Sequence, residues 1–140
     1  MAVFYLDSSA AYKRIQVEQH SAALVARLDE LVKNGERLVS SAITWIELAR
    51  ALRRFAAAGN LMPDQAVDQA VSDCTSGLSR ISITSQVINT AKWIGPPLIR
   101  SLDAIHLASA LLSGGSTLLT YDLRLAQAAQ SISLTAETPS

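Results

Sequence analysis

A chain of 140 residues is the size of one domain, and with 49% hydrophobic and 17% charged residues it is too apolar for a disordered chain and can bury a core without disulfides or a structural metal. Twelve basic residues balance twelve acidic ones, so no whole-molecule field draws the protein onto a polyanion, and any contact with nucleic acid has to be local. The single cysteine, Cys74, excludes an internal disulfide and a thiolate zinc cluster and reads as a small core residue, an expectation that fits a reducing cytoplasm.

In chain order, Val3 to Leu6 is a short apolar run of strand length closed by Asp7, with no basic segment ahead of it to suggest an export signal, and Ser8-Ser9 open a helical stretch. From Ser21 the apolar residues Leu24, Val25, Leu28, Leu31 and Val32 repeat at helical spacing until Gly35. Arg37 to Ser40 predicts a second strand, and Thr44 begins a helix whose face is Trp45, Leu48, Ala49, Leu52 and Ala56, stopped by Gly59. Pro63 starts another helix with Ala66, Val67, Ala70, Val71 and Cys74 inward, and after Gly77 the segment Arg80 to Ile83 alternates like a strand. Thr84 caps a helix through Trp93, Gly95-Pro96-Pro97 breaks the chain, and Ser101 caps a very apolar helix from Leu102 to about Ser113. The uncharged run from Ala104 to Tyr121 is split by Gly114-Gly115 and studded with Ser, Thr and His, unlike a membrane span. Thr117 to Tyr121 reads as a buried strand, Asp122 caps a helix through Gln130, and Ile132 to Leu134 is a last short strand. The expected domain is residues 1–135, with 136–140 a flexible tail. Strands alternating with helices predict a three-layer α/β domain whose parallel sheet is covered on both faces.

Four acids fall at one kind of place. Asp7 closes the first strand, Asp122 follows the strand that starts at Thr117, and Glu47 and Asp103 lie in the first turns of helices. In a parallel sheet those positions share one rim, beside the point where the strand order reverses. Carboxylates gathered there repel unless a cation neutralises them, and an oxygen-only set selects Mg²⁺ or Mn²⁺, which can assist phosphodiester hydrolysis. His20 and His106 form no zinc-binding spacing. Each acid but Asp7 also has a structural explanation. Thr44-Trp45-Ile46-Glu47 has the form of a capping box, Arg50 and Arg54 offer Glu47 ion pairs along its helix, Asp103 complements a helix dipole, and Asp122 is a helix cap. His106, one turn after Asp103, reads as a packed or hydrogen-bonded helix residue and is left outside the metal shell.

The segments Tyr5 to Ala10, Thr44 to Leu48, Arg100 to Ala110 and Thr120 to Leu125 resemble the PIN-domain ribonucleases, most closely the VapC toxins of bacterial toxin–antitoxin pairs, over Val3 to about Ala129. The stretch Asp103-Ala104-Ile105-His106-Leu107-Ala108 is the most specific part. The resemblance implies a parallel sheet of order 3-2-1-4-5 and a metal-dependent endoribonuclease. Asp7, Glu47, Asp103 and Asp122 would be the acidic quartet around Mg²⁺ or Mn²⁺, with Ser9 and Thr120 as hydroxyls beside it and Arg124 as a basic position after the last acid. It also implies three partners: an RNA substrate, a small cognate antitoxin and a second copy of the chain. A non-catalytic α/β module that binds RNA or protein is the rival class.

Overall fold

Period-two alternation in the first strand organises the whole molecule. In β1 (Val3–Leu6), Phe4 and Leu6 point to one face of the sheet and Tyr5 to the other, and all three are buried. The computed structural model describes residues 1–60, 62–115 and 117–140. After β1 come α1 (Ser8–Tyr12), α2 (Ser21–Lys33), β2 (Arg37–Ser41), α3 (Ala42–Ala57), α4 (Asp64–Cys74), β3 (Ser79–Ile81), α5 (Ser85–Ala91), α6 (Ser101–Leu112), β4 (Thr117–Leu119), α7 (Leu123–Ser131) and β5 (Thr135–Glu137). The sheet has five strands in the order β3-β2-β1-β4-β5, and every pairing is parallel.

Both faces are covered, as the expected three-layer architecture requires. On one side Phe4, Leu6, Leu38 and Leu119 pack with Ala10 of α1 and with Leu24, Leu28 and Leu31 of α2. On the other side Tyr5, Val39 and Leu118 pack with Leu107 and Ala110 of α6 and with Leu125, Ala128 and Ala129 of α7. A third cluster joins Ala11 to Leu48 and Leu52 of α3 and to Val67, Val71 and Cys74 of α4, so Cys74 is the core residue expected. Leu118, fully buried on the central part of the sheet, sets the scale of this packing. Leu118→Ala should lower stability by roughly 2–5 kcal/mol in urea denaturation, because deleting a buried leucine leaves a cavity that neighbours only partly fill; a loss below about 1 kcal/mol would deny Leu118 that role.

Several boundaries differ from the sequence expectation, each for a local reason. α2 closes with a Schellman motif: Gly35 sits at φ 74°, its N–H reaches Val32 O at 3.0 Å and that of Glu36 reaches Leu31 O at 3.0 Å. Val25 and Val32, expected inward, lie on its exposed side. α3 begins two residues before Thr44, because Ser41 caps it by accepting from the Ile43 N–H at 3.2 Å. The capping box at Thr44 is therefore not formed; Thr44 is buried with its hydroxyl 2.6 Å from Ser40 Oγ. Ser101 is the first residue of α6 rather than its cap, and Arg100 precedes it without a side-chain cap. The last strand lies three residues later than expected, because residues 132–134 close α7: Ser133 adopts φ 65° and the Leu134 N–H returns to Ala129 O at 2.9 Å. β5 thus takes in Ala136 and Glu137, which the sequence assigned to the tail. Arg27 holds Glu137 through two bonds of 2.9 and 3.0 Å, Thr138 donates to Thr120 O at 2.9 Å, and Tyr121 donates to Pro139 O at 2.8 Å. Among the described residues no helix is long and apolar enough to cross a membrane.

Candidate active site

The chain adds β2 and β3 on one side of β1, then returns to add β4 and β5 on the other, so the sheet reverses order between β1 and β4. Ligands of open parallel sheets bind at such a point, off the C-terminal ends of the strands. Asp7 follows β1 directly, and Thr120 and Asp122 follow β4.

Asp7 is buried rather than projecting, at 3% exposure. One carboxylate oxygen accepts from the Ser9 hydroxyl at 2.7 Å and from the Ala10 N–H at 3.0 Å, so Asp7 itself caps α1. The other accepts from the Thr120 hydroxyl at 2.5 Å. Thr120 Oγ1 in turn accepts from the Asp122 N–H at 3.0 Å, and Ser9 Oγ accepts from the Tyr121 N–H at 2.9 Å. The two hydroxyls expected beside the quartet are therefore the groups that lock Asp7 to the segment after β4. Burial pushes the Asp7 carboxyl above its ordinary range, while the positive character of His106 and the hydrogen bonds from Thr120, Ser9 and Ala10 pull it back.

Glu47, on the second turn of α3, makes neither a capping box nor an ion pair with Arg50 or Arg54. Its Oε1 lies 2.6 Å from Nε2 of His106, which α6 buries to 2% exposure. His106 Nδ1 lies 2.7 Å from the Tyr5 hydroxyl, whose oxygen also accepts the Ser41 N–H at 3.0 Å. Burial disfavours an imidazolium here, yet the bond to Glu47 and the charges of Asp7, Glu47 and Asp103 outweigh it and raise the His106 pKa. Burial likewise pushes the Tyr5 phenol up, with the hydrogen bond from the Ser41 N–H opposing the shift and the charges of Asp7 and Glu47 adding to it.

Glu47, Asp103, Asp122 and Arg124 line one cavity of about 310 Å³, together with Arg100, Ser101 and Leu102. Asp103 is half-buried in the first turn of α6. Its carboxyl is raised by burial and then by the charge of Asp122, with Glu47 contributing and His106 and Arg100 opposing. Asp122 caps α7 as expected, accepting from the Arg124 and Leu125 N–H groups at 2.9 and 3.3 Å. A larger cleft of about 580 Å³ shares Glu47 with this cavity; its walls are apolar, with Lys13, Arg50 and Arg54 among them. The acids share a site without closing on a point: among the described residues no three His, Cys, Asp or Glu side chains stand close enough to hold a metal ion.

Tyr5 and His106 join the site although neither is among the residues expected there. Their signal was a polar tip inside an otherwise apolar strand and an otherwise apolar helix, since a buried hydroxyl or imidazole requires a partner. The identity of that partner, 101 residues away for Tyr5 and 59 for Glu47, was not readable from spacing.

Comparison with known proteins agrees with this geometry. The PIN domain family matches residues 4–130. The chain is similar to ribonuclease VapC35 of Mycobacterium tuberculosis, at 38% identity over 98% of this chain and 97% of that protein. It is also similar to ribonuclease VapC47 of the same organism, at 30% identity over 98% and 97%. Among solved structures it resembles VapBC2 from Rickettsia felis bound to a DNA fragment from their promoter, with a TM-score of 0.72, 16% identity and 99% of each chain covered.

Proposed function

Because the chain belongs to the PIN domain family, we propose that it is the toxin ribonuclease of a type II toxin–antitoxin pair, hydrolysing RNA phosphodiester bonds with Mg²⁺ or Mn²⁺ and restrained by a small cognate antitoxin. The observation that carries the reading is the meeting of Glu47, Asp103 and Asp122 with Arg100 and Arg124 on one cavity at the sheet's reversal point, with buried Asp7 tied in behind them through Thr120. Relatives named as ribonucleases, and similar structures described as toxin–antitoxin complexes, support it. The reading extends to a homodimer in the cytoplasm as the working form.

The donor set fits a hard dication. All four candidate ligands are carboxylates, and burial together with the Asp122 and Glu47 charges already raises the Asp103 carboxyl, a repulsion that bound positive charge relieves. Asp7 and Asp103 would hold the ion, Glu47 would position the ion or the attacking water, and Asp122 would complete the shell. When bound, the ion supplies Lewis acidity toward the scissile phosphodiester and lowers the pKa of the attacking water. The chain's own residues do the rest. Ser9 and Thr120 fix the Asp7 carboxylate by hydrogen bonds, and Arg100 and Arg124, on the wall of the cavity, offer guanidinium donors to phosphate oxygens.

One observation favours the rival reading, a PIN-like module that binds without cutting: the acids stand apart. A cleavage assay separates the two. The purified full-length chain should cut single-stranded RNA when Mn²⁺ or Mg²⁺ is supplied, and chelation should stop it. RNA that is bound but left whole at every metal concentration would sink the nuclease reading.

A further inference from the structure

We infer that Tyr5 and His106 are positioning residues, forming a buried relay from the Ser41 backbone N–H through the Tyr5 hydroxyl and the His106 imidazole that orients the Glu47 carboxylate. The inference rests on the reading of Glu47 as a site residue. Its direction is fixed at the far end, where no choice exists. The Ser41 N–H can only donate, and the Tyr5 oxygen receives it at 3.0 Å. The buried Tyr5 O–H needs an acceptor of its own; Ser40 Oγ is engaged with Leu6 O and Thr44 Oγ1, each at 2.6 Å, and the acceptor within hydrogen-bond distance is His106 Nδ1 at 2.7 Å, so Tyr5 directs its proton there. An imidazole that accepts at Nδ1 carries its proton on Nε2, the nitrogen 2.6 Å from Glu47 Oε1. A ring protonated on both nitrogens presents the same Nε2–H. Only the opposite neutral tautomer would set the Nε2 lone pair against a carboxylate oxygen, and the Tyr5 contact disfavours that one. Donation from Nε2 to Glu47 therefore holds in either charge state of the ring.

The relay matters because of what it joins. Tyr5 lies on β1, two residues before Asp7, while Glu47 belongs to α3 and His106 to α6. Glu47 is half-buried at the edge of the cavity, and among the described residues His106 is its hydrogen-bond partner. Left alone, a glutamate with three rotatable bonds would sample several orientations. With one oxygen tied to an imidazole that is itself immobilised by packing, its other oxygen is left for the cavity, in a frame shared with Asp7. Hydrogen-bond partners of this kind set the geometry of a site without touching substrate, and their loss typically costs 10–100-fold.

The test compares three substitutions at His106 in the full-length protein. His106→Leu keeps apolar volume and should lower RNA cleavage about 10–100-fold. His106→Gln, whose amide nitrogen can reach the position of Nε2, should recover most of that loss. His106→Asn, whose amide lies nearer Nδ1, should not. A purely structural histidine would make glutamine and asparagine equivalent, and that result, or parental cleavage by His106→Leu, overturns the inference. Glu47→Gln is run alongside: if it cuts at the parental rate the site reading itself fails, whereas its loss combined with an unaffected His106→Leu removes the relay alone. Should the leucine variant not fold, long-range ¹H–¹⁵N spectra of the unmodified protein decide, because Nε2 of His106 must carry a proton; an unprotonated Nε2 overturns the relay.

Discussion

Asp7→Asn and Asp103→Asn should each reduce metal-dependent RNA cleavage on the order of 10³-fold or more, since losing several kcal/mol of charge stabilisation at the reacting phosphate raises the barrier by that factor. The fold should survive both changes. An asparagine at position 7 retains a side-chain oxygen for the Ala10 N–H, and its amide can pair with Thr120 if that hydroxyl turns to accept. Asp103 lies half-buried on the cavity wall, and its amide replacement changes almost no volume. Circular dichroism should match the parent while RNA-end mapping shows no cleavage. Parental activity in either variant would exclude that carboxylate from the chemistry.

Mn²⁺ at a hundredfold excess over its dissociation constant should stabilise the protein by about 2.7 kcal/mol, which for a domain of this length corresponds to roughly 8 °C in melting temperature. The sign with pH follows from the carboxyls. Asp7 and Asp103 are both raised above 3.8 in the folded protein, by burial first. The folded chain then holds protons more tightly than the unfolded one, so without divalent metal the contribution of these groups to stability grows as pH falls from neutral toward their raised values. At the proposed site protons and Mn²⁺ would compete for the same oxygens, so the Mn²⁺-induced shift should shrink over that range. Asp7→Asn removes one buried charge and should melt at or above the parent temperature without metal, with a blunted response to Mn²⁺. Melting scans of both proteins, with and without Mn²⁺ at neutral pH and at about pH 5.5, test this; equal shifts in parent and variant would place the ion elsewhere.

What could be read in the sequence was what depends on local pattern. Strand-helix alternation fixed the class, and Asp122 as the cap of α7 and Thr84 as the cap of α5 followed from residue type beside a periodic run. The strand order came with the family resemblance, since no local pattern states which strands are neighbours. Competing local signals produced the misreadings. Thr44-x-x-Glu47 satisfies the form of a capping box, but Ser41 three residues earlier took the role, which left Thr44 for the core and Glu47 for His106. The last strand was placed too early because Ile132 and Leu134 are apolar enough for a strand, yet both serve the core under α7 while Thr135 to Glu137 make the ladder. Asp7 was expected to face the ligand, and its second duty as a cap, bonded on both carboxylate oxygens, depends on Thr120 at the other end of the chain.

That separation of 113 residues between Asp7 and Thr120 bears on how the protein is made. At about 5–20 residues per second, a ribosome needs roughly 6–23 seconds to pass from one to the other. During this interval the nascent chain already carries Asp7 and Glu47, but Asp122 does not exist, and β1 has no neighbour on the side where β4 will dock. The strand that completes the reversal point is also among the last translated, so a polypeptide terminated before Thr117 should be inert toward RNA. For a chain read as a toxin, the order of translation therefore postpones assembly of the proposed site until nearly the whole polypeptide has been made.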